Sequence, residues 1–373
     1  MNISHDQRRI YWLALALLAA AVAVAGAWTL WLKPVSADAN TAPMPPAAAE
    51  PLPAETYAPS AAITPSPEGI ATAAEPVKKA STIVYYQDNY GYLVPVMCSV
   101  PMADGIAKAT LSMMVQSPDN DMQAARLGLR TVLPENTSID LDISGGLARI
   151  DLGKEVLNMP DAAAEANLVD AVVQTLTEFD TVDRVEFLIG GQKLDKLPHG
   201  TAVKGTFTRG DINVESAEPT VGVSDQSVML YFPADSGSVI VPVTRMVRSK
   251  ADINTAVMEL AKGPAGDEML ESVVPAGCGL IDVKVEDGVA KLNFTGEFVD
   301  LVQNSDGGRL ALKALVLTCT QFEGVKSVEI YVDGQKYDAS QGELGVPSFM
   351  NIADNIVYDY IQTQTNALFE QYD

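Results

Sequence analysis

Hydrophobic and polar positions divide the chain into three kinds of segment. Ile10 to Leu32 reads IYWLALALLAAAVAVAGAWTLWL and carries no charge. As a helix it would span ~35 Å, which exceeds a hydrocarbon core needing about 20 apolar residues. Tyr11, Trp12, Trp28 and Trp31 sit near its ends, where interfacial aromatics belong. Arg8 and Arg9 precede it and Lys33 follows, so the positive-inside rule puts residues 1–9 in the cytoplasm and the rest outside. The run reads as an uncleaved transmembrane helix over 10–32, with Ile10, Trp12, Leu17, Trp28, Trp31 and Leu32 as anchor residues. A cleaved signal peptide with a small-residue site at Val35-Ser36-Ala37 is the rival reading, but its apolar core would be shorter, about 7–15 residues. The second kind of segment, 33–80, has no period. It alternates Pro with Ala, Thr and Ser, cannot bury a core, and reads as a disordered, semi-extended linker.

The third kind is periodic and occurs twice. Ile83-Val84-Tyr85-Tyr86, a polar turn ending at Gly91 and Leu93-Val94-Pro95-Val96 predict a hairpin. Met229-Leu230-Tyr231-Phe232, a turn at Gly237 and Ile240-Val241-Pro242-Val243 repeat it. A helix follows each, from Ile106 towards Ser117-Pro118 and from Ile253 towards Gly263-Pro264, with Pro read as the terminator. Ile139-Asp140-Leu141-Asp142-Ile143 alternates as a half-buried strand and turns at Ser144-Gly145-Gly146. Its counterpart, Ile281 to Val285, turns at Asp287-Gly288, a strong two-residue hairpin signal. Leu168, Val172 and Leu176, then Leu312, Leu315 and Cys319, mark a longer helix in each copy. The copies close on Val185 to Ile189 and Val328 to Val332. The order is β-β-α-β-β-α-β, which predicts a two-layer α+β domain with helices on one face of a sheet. Domains are expected at 81–205 and 227–340, joined by an interdomain linker at 206–226. Residues 341–373 lack Lys and Arg and place Phe349, Ile352, Ile356, Tyr360 and Ala367 on one helical face, so a C-terminal helical extension is expected.

Charge narrows the function. Lys and Arg total 25 against 48 Asp and Glu, a formal net charge of -23, which excludes a nucleic-acid binder. Only His5 and His199 are present, so a multi-histidine metal site is excluded. Cys98, Cys278 and Cys319 show no CxxC spacing; they read as partly buried thiols, with Cys278–Cys319 the pair that could close a disulfide. Asp151 and Glu155 invite an acid–base reading, but Asn293 replaces the Asp in the second copy, and solvated strand ends explain the pair better. The acidic stretch Ser117 to Asp121 lacks an EF-hand's spacing and reads as a solvated loop. No catalytic, cofactor-binding or metal residue is assigned, and the chain reads as non-enzymatic. In the paired aromatics of the opening strands one member should face outward. Tyr86 and Phe232, with Tyr360 in the tail, are the candidate interaction surface, core packing being the other use.

The strand-turn-VPV opening, the Gly263-Pro264 after the first helix, the Val-Val-Pro element at 273–275, the Asp-Gly hairpin and the closing Val-x-Ile-x-Val-Asp-Gly resemble the GerMN domain of sporulation and spore germination. The second copy matches better; the first has Gln116-Ser117-Pro118 and Gly190 at the corresponding places. The resemblance implies a fold related to the ring-building motif. It also implies an envelope protein of spore formers that scaffolds a channel complex between mother cell and forespore, with other envelope proteins as partners. A peptidoglycan- or small-ligand-binding germination module is the alternative.

Overall fold

The computed structural model of the protein describes residues 78–102, 105–215, 226–265, 269–300, 307–337 and 349–353. The expected anchor at 10–32, nearly all of the 33–80 linker and the tail beyond 353 lie outside these residues. Among the described residues no helix is long and apolar enough to cross a membrane.

The first repeat opens with the antiparallel hairpin β1 (Lys79–Gln87) and β2 (Leu93–Pro101). Helices α1 (Ile106–Ser112) and α2 (Pro118–Ala125) follow, then β3 (Ile139–Ser144), β4 (Gly146–Leu152), α3 (Ala162–Leu176), β5 (Val182–Ile189) and β6 (Thr206–Phe207). The second repeat runs β7 (Gln226–Pro233), β8 (Ile240–Val247), α4 (Ile253–Ala261), β9 (Leu280–Glu286), β10 (Val289–Phe294), α5 (Gly307–Thr320), β11 (Ser327–Val332) and β12 (Gln335–Lys336). The expected elements appear in the expected order in both, with α2 added in the first repeat and a short closing strand, β6 or β12, added in each. The expected single sheet does not, because each repeat divides its strands between two sheets. One is the opening hairpin, and the other is four-stranded, ordered β3-β4-β5-β6 or β12-β11-β10-β9. The division follows from the long helix. Strands β4 and β5 are parallel and joined through α3, as β10 and β11 are through α5. Each helix packs both on its own repeat's hairpin and on its four-stranded sheet.

Local chemistry sets the corners. Asp287 and Gly288 have φ of 52° and 81°, the paired left-handed geometry of a tight hairpin turn. A Cβ on Gly288 would stand 3.2 Å from the carbonyl of Gly324. The stretch 117–121 is not a loop. Ser117 caps α2 by accepting from the backbone N–H of Asn120, and Pro118 stands at the helix start. There the missing N–H costs nothing, and Asp119 and Asp121 favour the positive end of the helix. Pro118 therefore begins a helix rather than ending one, since α1 has already stopped at Ser112.

Both faces of the hairpins are buried. Tyr85 and Tyr86, neighbours on opposite faces of β1, are 4% and 2% exposed, and Val94, Val96, Val241 and Val243 are fully buried. Near-continuous apolar runs are the mark of strands covered on two sides. Pro95 stands opposite Tyr85, and Pro242 opposite Tyr231. At these places the backbone points away from the hairpin partner. Tyr85 N–H donates to Thr175 Oγ1 (3.1 Å) and Tyr231 N–H to Thr318 Oγ1 (3.2 Å). The prolines therefore remove no ladder bond.

The outer edges of β2 and β8 are closed by two short arms, one following each repeat. In the first arm, 211–215, the Asn213 side chain exchanges bonds with Leu93 N–H and C=O (2.8 Å each) on β2 and donates to Pro242 C=O (2.6 Å) on β8. In the second arm, 349–353, the Asn351 side chain accepts from Ile240 N–H (2.8 Å) and donates to Ile240 C=O (3.0 Å) on β8 and to Pro95 C=O (2.8 Å) on β2. Leu93 corresponds to Ile240 and Pro95 to Pro242, so the two staples are related by an internal pseudo-two-fold. The backbones follow suit. The first arm pairs in parallel with Thr244 of the second repeat, and the second arm with Met97 of the first. Each repeat is completed by the arm belonging to the other. The 349–353 stretch is accordingly extended, not the helix expected there, because Met97 supplies strand partners to Asn351 and Ala353. Likewise 206–215, read as linker, carries β6 and the first arm.

Thr175 and Thr318 are fully buried, so Thr175→Val or Thr318→Val would strand a tyrosine N–H inside the protein. Each should cost about 1–3 kcal/mol, read as a lower urea midpoint with an unchanged slope.

Candidate interaction surfaces

Burial removes two of the three expected surface aromatics. Tyr86 is 2% exposed and Phe232 fully buried, because the hairpins have no free face. Tyr86 Oη lies 3.9 Å from Cys98 Sγ. Over Phe232, at 5.9 Å, stands the guanidinium of Arg245, the residue that takes the place of Cys98 in the second repeat. Tyr360 lies outside the described residues, as do the membrane-anchor residues. The first repeat places a different cluster beside its hairpin. Tyr85 O–H donates to Glu178 Oε1 (2.9 Å), and Arg209, stacked over the Tyr85 ring, donates to Tyr85 Oη (2.7 Å) and to Glu178. Burial holds the Tyr85 hydroxyl far above the usual range, so it stays protonated.

Asp151, one of the pair weighed for acid–base chemistry, has a structural partner. Asp151 Oδ1 accepts from Gly191 N–H (2.9 Å) and Asn293 Oδ1 from Gly334 N–H (2.9 Å), at matching turns. An acceptor oxygen is all the turn requires, so Asp and Asn serve equally. Glu297 Oε2 accepts from Thr295 Oγ1. His199 Nε2 lies 2.8 Å from Met159 C=O, and its backbone N–H donates to Glu165 (2.8 Å), whose buried carboxylate also receives Thr201 N–H. Among the described residues no three His, Cys, Asp or Glu are placed to hold a metal ion. All three cysteines are free thiols, Cys98 and Cys319 buried and Cys278 partly so.

Among the described residues two concavities stand out. In the first repeat a cleft of about 740 Å³ lies between the β1–β2 turn, the segment leading to Pro134 and the start of α3. Tyr90, Asp121, Arg130, Asn158 and Asp161 line it. Tyr90, 59% exposed, stands on its rim. The rim is shaped by Asp88, whose Oδ1 accepts from Tyr90 N–H (2.9 Å) and Tyr92 N–H (2.8 Å). In the second repeat a groove of about 460 Å³ runs between α4 and the edge strand β9. Met258 and Ile281, which line it, and Val285 further along β9 are exposed. The corresponding edge in the first repeat is better covered, with Ile139 buried.

Paired hairpins, parallel βαβ units and reciprocal arms define a tandem of like domains, and known proteins share it. Residues 83–195 and 229–338 match the Germane family, described as sporulation and spore germination, and the chain belongs to that family. It is 30% identical over 263 residues to the spore germination protein GerM of Bacillus subtilis (strain 168), which covers 68% of this chain and 71% of that protein. The solved tandem GerMN domains of the sporulation protein GerM from Bacillus subtilis are 28% identical, with a TM-score of 0.61 over 74% of this chain and 100% of that one. The first GerMN domain of that protein, solved alone, is 31% identical and covers 35% of this chain and 98% of its own, with a TM-score of 0.33. The resemblance read from the short repeated motifs is thus correct, and the mixed α+β fold is that of tandem GerMN domains.

Two predictions follow from the ionisable groups. Burial raises the Asp88 carboxyl above its ordinary 3.8, outweighing the turn N–H groups and Arg130, which lower it. The folded state then holds a proton more tightly than the unfolded state, and stability falls as the pH rises through the window above 3.8. Asp88→Asn keeps the acceptor and removes the buried charge. It should raise the urea midpoint at pH 7 and leave it nearly unchanged at pH 3. Burial pushes Cys98 and Cys319 up to about 12. Burial raises the Cys278 thiol too, but Cys278 is only partly buried, so a thiol reagent at pH 8 should label Cys278 ahead of the other two, and all three cysteines after urea is added.

Proposed function

We propose that the chain is a membrane-anchored, extracytoplasmic interaction protein of spore formation and germination, a scaffold for an envelope-spanning or channel complex between mother cell and forespore. The observation that carries the sporulation part is the match through both repeats to tandem GerMN domains over their whole length. Support for a scaffolding role comes from the arms. Asn213 and Asn351 hold the two repeats against each other, so partners would meet two domains in fixed relation. The charge-free run Ile10 to Leu32 and the Pro-rich stretch after it support a tether with reach. Two linked sites can raise avidity by roughly 10²–10⁴ when geometry lets both engage. A relation to the ring-building motif is part of the same reading.

A second reading, a peptidoglycan- or small-ligand-binding germination module, is favoured by the first repeat's cleft, where Tyr90, Arg130, Asn158 and Asp161 converge.

Heat-resistant spore yield from a clean deletion strain separates the two, with complementation by the whole chain and by a form lacking residues 1–32. The scaffold reading expects a large fall in spores, restored only by the anchored form. Normal spore numbers with slow germination, reproduced by Tyr90→Ala and Arg130→Ala together, would replace it with the ligand reading. No defect in either would overturn both.

A further inference from the structure

The two arms occupy equivalent slots but are held unequally. The first is fastened beyond its strand pairing. Glu215 grips Arg245 through both carboxylate oxygens (2.5 and 2.9 Å) and accepts from Ala265 N–H (3.0 Å), and the pair is largely buried. Thr244 Oγ1 adds a bond from Ile212 N–H (3.2 Å). In the second arm Ala353 stands where Glu215 stands, and the slot offers Met97 and Cys98 in place of Thr244 and Arg245. Among the described residues this arm is held by two backbone bonds, Met97 N–H to Asn351 C=O (2.9 Å) and Ala353 N–H to Met97 C=O (3.0 Å), and by the Asn351 staple. The first arm is also tied covalently at both ends between the repeats. The second follows its repeat through residues 338–348, a stretch long enough for ~36 Å of extended chain.

We propose that residues 349–353 are an exchangeable arm, and that the slot formed by Pro95, Met97 and Ile240 accepts the same arm from a second copy of the chain. An empty slot would leave Pro95 C=O, both Met97 backbone groups and both Ile240 backbone groups at a bare strand edge, so it demands an occupant. A strand with Asn at its centre, giving two N–H donors and one acceptor, fits that set, and another copy supplies the identical segment. Exchange forms the same bonds that it breaks, so it links copies at little cost once they are concentrated. The slot selects for Asn, because Asp lacks the donors for Pro95 and Ile240 C=O, and Ala lacks all three contacts. Reciprocal exchange closes a dimer; one-way exchange leaves a free arm and a free slot at the two ends, able to extend a chain of copies.

The test uses the bridged pair Met97 and Ile352, since adjacent-strand partners lie at a Cα separation compatible with a disulfide. In a full-length Cys278→Ser background kept in mild detergent, one copy carries Met97→Cys and a differently tagged copy carries Ile352→Cys. The two are co-expressed, purified together and oxidised. Mixed-tag covalent dimers should form, increase with protein concentration, and fall about tenfold or more when the Ile352→Cys copy also carries Asn351→Asp. A single chain with both cysteines serves as the seating control and should close its disulfide internally when dilute. If that control closes while the co-expressed pair gives no more dimer than two Met97→Cys copies, the arm stays in its own molecule and the proposal is overturned. Dimers that survive both Asn351→Asp and Asn351→Ala would overturn it equally, because they would not come from the slot.

Discussion

The bare outer edge of a two-stranded hairpin is the constraint on which this molecule is organised. Once β1 and β2 have paired, the backbone groups of Leu93, Pro95 and Met97 point outward, and those of Ile240, Pro242 and Thr244 do the same in the second repeat. Buried backbone groups must find partners, and an open edge invites uncontrolled pairing. Extending the sheet is barred at Pro95 and Pro242, which have no N–H to give. The solution is a side-chain amide. Asn213 and Asn351 each act as a detached peptide group, joining the two edges across the gap that the prolines impose. The relation of the repeats and the course of the chain after each repeat follow from that closure.

The repeats share their architecture and differ where chemistry is local. The pairs Thr175/Thr318 and Asp151/Asn293 do one job in two places, binding a tyrosine N–H and a turn glycine N–H respectively. Cys98 against Arg245 is a true divergence. The thiol sits beside a tyrosine hydroxyl, whereas the guanidinium recruits Glu215, Glu259 and Gly263 C=O and fastens an arm. Removing one partner of so buried a pair leaves an uncompensated charge, which is why this arm is the fixed one.

Much of this was legible in the chain. The doubled pattern fixed the element order, and the Asp287-Gly288 turn and the alternation at Ile139 to Ile143 located strands closely, because each signal is local. Features set by distant partners were hidden. Tyr86 and Phe232 looked half-exposed because alternation assumes one wet face, and the cover on the second face comes from elsewhere in the chain. Pro118 was misread because proline both ends and begins helices, and only the Ser117 cap distinguishes the two. The arms left a faint trace. Ile212-Asn213-Val214 and Met350-Asn351-Ile352 each set one Asn between apolar residues after a repeat, and aligning the repeats beyond their last strands would have paired them. The cleft beside Tyr90 is assembled from three separate segments and had no local signature.

Reciprocal completion of the repeats has a consequence for the order of events during synthesis. The first repeat is made first, yet residues 349–353, which pair with Met97 on its β2 edge, are made only after the second repeat. The second repeat is in the opposite position, since its own closing arm, 211–215, precedes it in the chain. Folding of the pair therefore cannot run to completion from the N-terminus. The edge at Pro95 and Met97 stays open until an arm carrying Asn351 has been made, whether in the same chain or in a second copy.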